Sequence, residues 1–118
     1  MNVSSPTWAE VDLEAIAENT RAMKRWVGDR VEIIAVVKAD AYGHGAIPVA
    51  RTVLAAGASR LAVHRLGEGI ALRQAGIEAP ILVMAPLMPE EAPEVVRWRL
   101  TPTLSTMEAA RALDAAAR

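Results

Sequence analysis

Apolar positions along the chain follow two patterns, short continuous runs and longer Ala-rich stretches with helical spacing. The run Glu32–Val37 (EIIAVV) is typical of a strand buried on both faces of a parallel sheet. Further short runs predict strands at Thr7–Val11, Arg60–Val63, Ile81–Met84 and Leu100–Leu104.

The stretches between these runs predict helices. Asp12 is the expected N-cap of the first helix, and Gly28 is its expected end. Two more helices, over Ala46–Ala56 and Glu68–Ala75, are each followed by Gly, and a third is predicted over Pro89–Trp98. A capping box at Ser105–Glu108 opens a final helix.

After residue 30 the predicted order is strand then helix, repeated four times with short connections. This order favours an α/β fold with a parallel sheet and right-handed crossovers. A doubly wound sheet and a TIM (βα)₈ barrel both fit locally, and a full barrel needs eight units and about 250 residues. Four units would therefore form the first part of such a barrel. Its open sheet edges predict either a homo-oligomer or an open sheet.

Composition removes several classes of protein. The 118 residues include 13 basic and 14 acidic side chains without a basic stretch, which argues against nucleic-acid and membrane-surface partners. The absence of Cys excludes disulfides, thiolate catalysis and Cys-ligated metals, and no metal site is predicted. No apolar run is long enough for a membrane span, and no secretory signal is recognisable, so a cytoplasmic protein is expected.

Chemistry concentrates in the segment 36–45, which reads VVKADAYGHG. Lys38 is one of only two Lys against 11 Arg, and it stands where a predicted buried strand ends. A buried amine can form a Schiff base with a carbonyl, including that of pyridoxal phosphate, whereas the guanidinium of Arg cannot. The alternative is a strand-end Lys that simply extends into solvent.

The residues after Lys38 form a predicted polar loop that leads into a helix. The Tyr42 hydroxyl can donate to an anionic group such as a phosphate. Gly43 and Gly45 allow positive φ and a close backbone approach, although ordinary turns use Gly as well. His44 is expected to order its own turn rather than to act as a base or ligand. Neither of the common Gly-rich phosphate-binding motifs is present.

VVKADAYGHG resembles the pyridoxal-phosphate attachment motif of bacterial alanine racemases. The resemblance continues along most of the chain, through TWAEVDLEAIAEN, GASRLAV, EGIALRQAG and APILV, in the family's order and spacing. It implies an N-terminal (βα)₈ barrel, a β-rich C-terminal domain and a homodimer. Residues 1–118 would correspond to the N-terminal part of the barrel domain, without the second half-barrel and the β-domain.

The resemblance also assigns roles to particular residues. Lys38 would be the Schiff-base lysine and one catalytic base, and Tyr42 would bind the cofactor phosphate. Met84 stands where the family usually has Leu beside the cofactor, and Val36 would line the same pocket. The second base, a Tyr of the partner subunit, has no counterpart in this sequence. His64 would be structural, in a segment that forms helix-entry surface.

Several functions stay open from the sequence. The main interpretation is the interconversion of L-alanine and D-alanine, which supplies D-alanine for peptidoglycan. We expect the 118-residue chain alone to show no racemisation. One alternative is another enzyme that uses pyridoxal phosphate, a serine or broad-specificity racemase or a decarboxylase. Another is a non-catalytic pyridoxal-phosphate carrier, and the last is a half-barrel without chemistry. The shorter Lys motifs of the decarboxylases and carriers lack AYGHG, which disfavours both.

Overall fold

The computed structural model describes residues 6–118, which form one sheet of parallel strands covered by helices. The four strands are β1 (Ile34–Val36), β2 (Arg60–Val63), β3 (Ile81–Pro86) and β4 (Thr101–Thr103). Their order in the sheet is β1-β2-β3-β4, and each neighbouring pair is parallel. A doubly wound sheet reverses its strand order at a switch point, whereas strands added one after another on the same side build a barrel.

Helices precede, separate and follow the strands. They are α1 (Leu13–Val27), the short segment α2 (Lys38–Tyr42), α3 (Ala46–Ala56), α4 (Leu66–Gln74), α5 (Ala92–Arg97) and α6 (Met107–Ala117). A 3₁₀ turn, Pro89–Glu91, leads directly into α5, so the predicted helix over Pro89–Trp98 is divided in two. Pro93 lies in the first turn of α5, where the missing N–H costs no hydrogen bond.

The two faces of the sheet differ in burial. One face packs against the helices, and its residues include Val37, Leu61, Val63, Ile81 and Val83. On the opposite face of β1, Ile34 and Val36 keep 46% and 41% of their surface exposed. The fold therefore has a helix layer on one side and an open apolar sheet surface on the other, which is the side that a closed barrel turns inward.

Two predicted features are wrong. Thr7–Val11 belongs to no strand, because no described strand lies beside it to complete a ladder, and Trp8 is 72% exposed. The N-cap of α6 is Thr106 and not Ser105, since the Thr106 side chain accepts the Ala109 amide hydrogen at 3.1 Å. The Asp12 N-cap is confirmed by its bond from the Ala15 amide, also 3.1 Å. Within residues 6–118, no helix has the length and apolar character needed to cross a membrane.

Two glycines in α4 provide a test of how tightly this helix packs on the sheet. A Cβ at Gly69 would lie 3.1 Å from both Cδ atoms of Leu100, which is itself buried, whereas a Cβ at Gly67 would meet nothing within 4 Å. Ala in a helix is more stable than Gly by roughly 0.5–1 kcal/mol, and overpacking costs about 1–3 kcal/mol. We expect Gly67→Ala to stabilise the fold, and Gly69→Ala to be about 1–2 kcal/mol less stable than Gly67→Ala in urea unfolding. Equal stability of the two variants would contradict this tight contact.

Candidate active site at the carboxyl end of the sheet

The sheet register brings the side chains of Lys38, His64 and Met84 to one level at the carboxyl ends of the strands. Val36 pairs with Ala62, and Ala62 pairs with Leu82. Two residues further along each chain segment come Lys38, His64 and Met84. The predicted site residues Lys38 and Met84 therefore lie at the same edge of the sheet, with His64 between them. In α/β folds this edge is where active sites are built.

The segment after β1 is a left-handed helical turn, which the sequence did not indicate. Ala39, Asp40, Ala41 and Tyr42 all have φ between 51° and 55°, and backbone hydrogen bonds still close the turn, such as the one from the Gly43 N–H to the Ala39 carbonyl at 3.1 Å. Left-handed backbone costs roughly 1–2 kcal/mol per non-Gly residue. Four such residues in succession need strong local support, and they give Lys38 and Tyr42 a relative position that an ordinary loop would not.

Part of that support comes from within the turn. Asp40 accepts the Ala46 amide hydrogen on Oδ1 at 2.7 Å and the Gly45 amide hydrogen on its carbonyl at 2.9 Å, which joins the turn to the start of α3. His44 places Nδ1 3.0 Å from the Ala41 carbonyl, so the prediction that His44 orders its own turn is confirmed. Gly43 adopts the expected positive φ of 86° at the end of α2.

The left-handed turn places Lys38 beside Tyr42. The Lys38 Nζ lies 5.8 Å from the centroid of the Tyr42 ring, within range of a cation–π contact. The Lys38 side chain is half-buried, whereas Tyr42 is 61% exposed. An amine and a phenol thus share one edge of the sheet, and both are accessible to a ligand.

A cavity of about 370 Å³ lies beside the Lys38 amine, lined by Lys38, Ala39, His64, Arg65 and Glu68. Val36 and Met84, which were expected to line a cofactor pocket, do not border this cavity. Val36 lies one level lower on the open sheet face, and Met84 is half-buried at the sheet edge. His64 borders the cavity although its segment was interpreted only as helix-entry surface.

Glu68 makes contacts at the site that the sequence pattern did not indicate. Its carboxylate accepts backbone N–H groups from Ala39 at 2.7 Å, His64 at 2.9 Å and Arg65 at 2.8 Å. Partial burial raises the pKa of Glu68, but these three hydrogen bonds outweigh burial and hold that pKa below its ordinary value of 4.5. Ionised Glu68 therefore stabilises the fold above that ordinary value, and its contribution is lost as pH falls through the lowered pKa. The available signal was a carboxylate in the first turn of a helix that directly follows a strand.

Comparisons with known proteins place this arrangement in a family. The family model for the alanine racemase N-terminal domain matches residues 11–118. An alanine racemase of Synechocystis sp. is 51% identical over 105 residues, which are 88% of this chain and 28% of that protein. The crystal structure of alanine racemase from Bacillus anthracis with bound L-Ala-P superposes with a TM-score of 0.91 at 41% identity, covering 98% of this chain and 30% of that one.

A structure with a different substrate in its title is also similar. It is a histidine racemase from Leuconostoc mesenteroides, with a TM-score of 0.80 and 31% identity over 88% of this chain and 28% of that one.

The fold and the comparisons identify these four βα units as the first part of a βα-barrel of the kind found in this family. The chain belongs to the alanine racemase family, whose N-terminal domain model matches residues 11–118. Its four parallel strands match the N-terminal part of the family's barrel, as the sequence predicted, and the chain spans about 30% of the length of the relatives it matches.

Proposed function

We propose that this chain forms part of a pyridoxal-phosphate-dependent racemase that interconverts L-alanine and D-alanine. The observation that carries the proposal is the position of Lys38, whose amine stands at the carboxyl edge of the sheet beside an open cavity, within a chain of this family. Residues 1–118 would supply the first four βα units of its cofactor-binding barrel.

The residues at the sheet edge suit pyridoxal phosphate by their chemistry. Lys38 offers a primary amine for the cofactor aldehyde, and Tyr42 offers a hydroxyl donor for an anionic group. Val36 and Met84 would provide apolar contacts on the open sheet face. Within residues 6–118 no group of three or more His, Asp or Glu side chains is placed to hold a metal ion.

Lys38 would have two roles in the reaction. Its amine would hold the cofactor before substrate binds, and the freed Nζ would take or return the Cα proton on one face of the amino acid. When bound, the cofactor stabilises the negative charge that develops at that carbon. The opposite face needs a second base, which we assign to a Tyr of a partner subunit on the strength of the family resemblance.

The proposed setting follows from the same resemblance. The protein would work in the cytoplasm as a homodimer or a higher oligomer, with a free amino acid as its substrate, and its D-alanine would serve peptidoglycan synthesis.

The experiment that tests this function is a chiral assay on the natural protein that carries this sequence, loaded with pyridoxal phosphate. We expect L-alanine and D-alanine to approach equal amounts, with deuterium from heavy water appearing at Cα. A protein that binds the cofactor without Cα exchange would be a carrier, and this result would exclude the racemase. A second candidate, racemisation of another amino acid, is favoured by the likeness to the histidine racemase, so serine and histidine belong in the same assay.

Tyr42 provides a quantitative test of cofactor binding. Loss of one hydrogen bond to a charged group costs about 1.5–3 kcal/mol, so Tyr42→Phe should weaken cofactor affinity roughly ten- to a hundredfold. The Phe ring retains the contact with Lys38, so the change isolates the hydroxyl. Fluorescence or absorbance titration with pyridoxal phosphate measures the effect. An unchanged affinity would make Tyr42 an ordinary residue of the turn.

A further inference from the structure

Glu68 is bonded to backbone groups at the ends of two neighbouring strands. Its Oε2 accepts the amide hydrogen of Ala39, 29 positions earlier and just beyond β1. Its Oε1 accepts the amide hydrogens of His64 and Arg65, just beyond β2. The Glu68 carboxylate therefore connects the segment that contains Lys38 to the segment that contains His64 and Arg65, on the other side of the cavity.

The Ala39 amide lies at the start of the left-handed turn. Lys38 precedes the left-handed residues, and Ala39 is the first residue with positive φ. The first N–H groups of any helical turn lack partners within the turn. Glu68 supplies the acceptor for Ala39 from outside, at 2.7 Å, which is the short distance of a charge-assisted bond.

Glu68 acts on Lys38 through the backbone and not through a direct ion pair. Among the described residues no salt bridge joins the Lys38 amine to the Glu68 carboxylate, although both border the same cavity. The amine is therefore left available, while the peptide that follows Lys38 is held. The Lys38 Nζ lies over the Tyr42 ring, 5.8 Å from its centroid.

We propose that Glu68 is a positioning residue for Lys38, which fixes the start of the left-handed turn and thereby sets where the amine stands at the sheet edge. This inference rests on the proposed function, because a fixed position of the Lys38 amine matters only if the amine binds the cofactor. Glu68 belongs to the neighbouring βα unit, and its carboxylate reaches the turn through the backbone N–H of Ala39.

Two substitutions separate this role from general support of the fold. Glu68→Gln keeps the size of the side chain but loses one acceptor oxygen and the charge. Glu68→Asp keeps the charge in the first turn of α4, and is one methylene too short to reach both strand ends. Glu90→Gln is the matched control, since Glu90 is exposed on the 3₁₀ turn and away from the cavity.

The first measurement is amide hydrogen exchange in the cofactor-free natural protein. Loss of a charge-assisted hydrogen bond should speed exchange over residues 38–42 by about tenfold or more. Exchange in α1 and α6 should stay unchanged in both Glu68 variants, and Glu90→Gln should match the unsubstituted protein throughout. Should Glu68→Gln fail to fold, Glu68→Asp gives the same comparison, because it keeps the charge that favours the start of α4.

The second measurement is borohydride trapping of pyridoxal phosphate, followed by peptide mass spectrometry. The ratio of label on Lys38 to label on Lys24 should fall at least about threefold in the Glu68 variants, at a temperature where they are fully folded. Unchanged exchange over 38–42, or faster exchange spread evenly over α1 and α6, would overturn the positioning role. If the unsubstituted protein does not label Lys38, the proposed function fails, and the exchange measurement still decides whether Glu68 holds the turn.

Discussion

Lys38→Arg should abolish borohydride-trapped pyridoxal phosphate on the peptide that contains position 38, and should lower alanine racemisation at least about a thousandfold in the natural protein. Arg keeps the positive charge and can still contact the Tyr42 ring, but it cannot form the covalent bond to the cofactor aldehyde. The change therefore removes the amine chemistry with little change in local charge. Mass spectrometry of the trapped protein and a chiral amino-acid assay measure the two effects.

The chain supplies its own control for this experiment, because Lys24 is its only other lysine. The Lys24 amine donates to the carbonyls of Gly28 at 3.3 Å and Val31 at 2.7 Å, at the end of α1. Arg can donate to the same carbonyls, so Lys24→Arg should leave trapping and racemisation unchanged. Label on Lys24 that equals or exceeds the label on Lys38, or total label that Lys38→Arg does not reduce, would refute the assignment of Lys38.

The order of helices and strands was predictable because their signals are local. Apolar runs predicted β1 to β4 within about two residues at each end, and Gly28 and Gly57 follow the helices they were expected to end. The segment Thr7–Val11 has the same local signal, yet a strand also needs a neighbour to receive its hydrogen bonds. That requirement depends on tertiary structure, and periodicity does not contain it.

The candidate site was predictable in its residue types and not in its geometry. Lys38 and Tyr42 were identified from their chemistry and from the family resemblance. The left-handed turn that brings them together begins at Ala39, and Ala has no preference for positive φ, so composition gave no indication of it. Glu68 was missed for a related reason, since its bond to Ala39 spans 29 positions.

Arg73 shows the same dependence on distant backbone groups, here in the support of the fold. Its guanidinium donates to four carbonyls, those of Ile77 at 2.8 Å, Ala79 at 2.7 Å, Trp98 at 2.9 Å and Arg99 at 2.9 Å. The first two lie between α4 and β3, and the others lie between α5 and β4. Burial and the nearby Arg99 lower the pKa of Arg73, which nevertheless stays charged at neutral pH.

Arg73→Met should therefore lower the free energy of unfolding by about 2–4 kcal/mol, because charged hydrogen bonds contribute about 1.5–3 kcal/mol each and water replaces some of them. The free energy of unfolding of Arg73→Lys should lie between those of the unsubstituted protein and Arg73→Met. One ammonium group cannot donate to both the α4–β3 and the α5–β4 connections as the planar guanidinium does. The matched control is Arg97→Met. Its 3.7 Å ion pair with Glu94 joins side chains that are 70% and 44% exposed, so a loss below about 1 kcal/mol is expected. Urea unfolding of the three variants measures these differences, and an Arg73→Met variant as stable as Arg97→Met would show that water replaces all four bonds without loss.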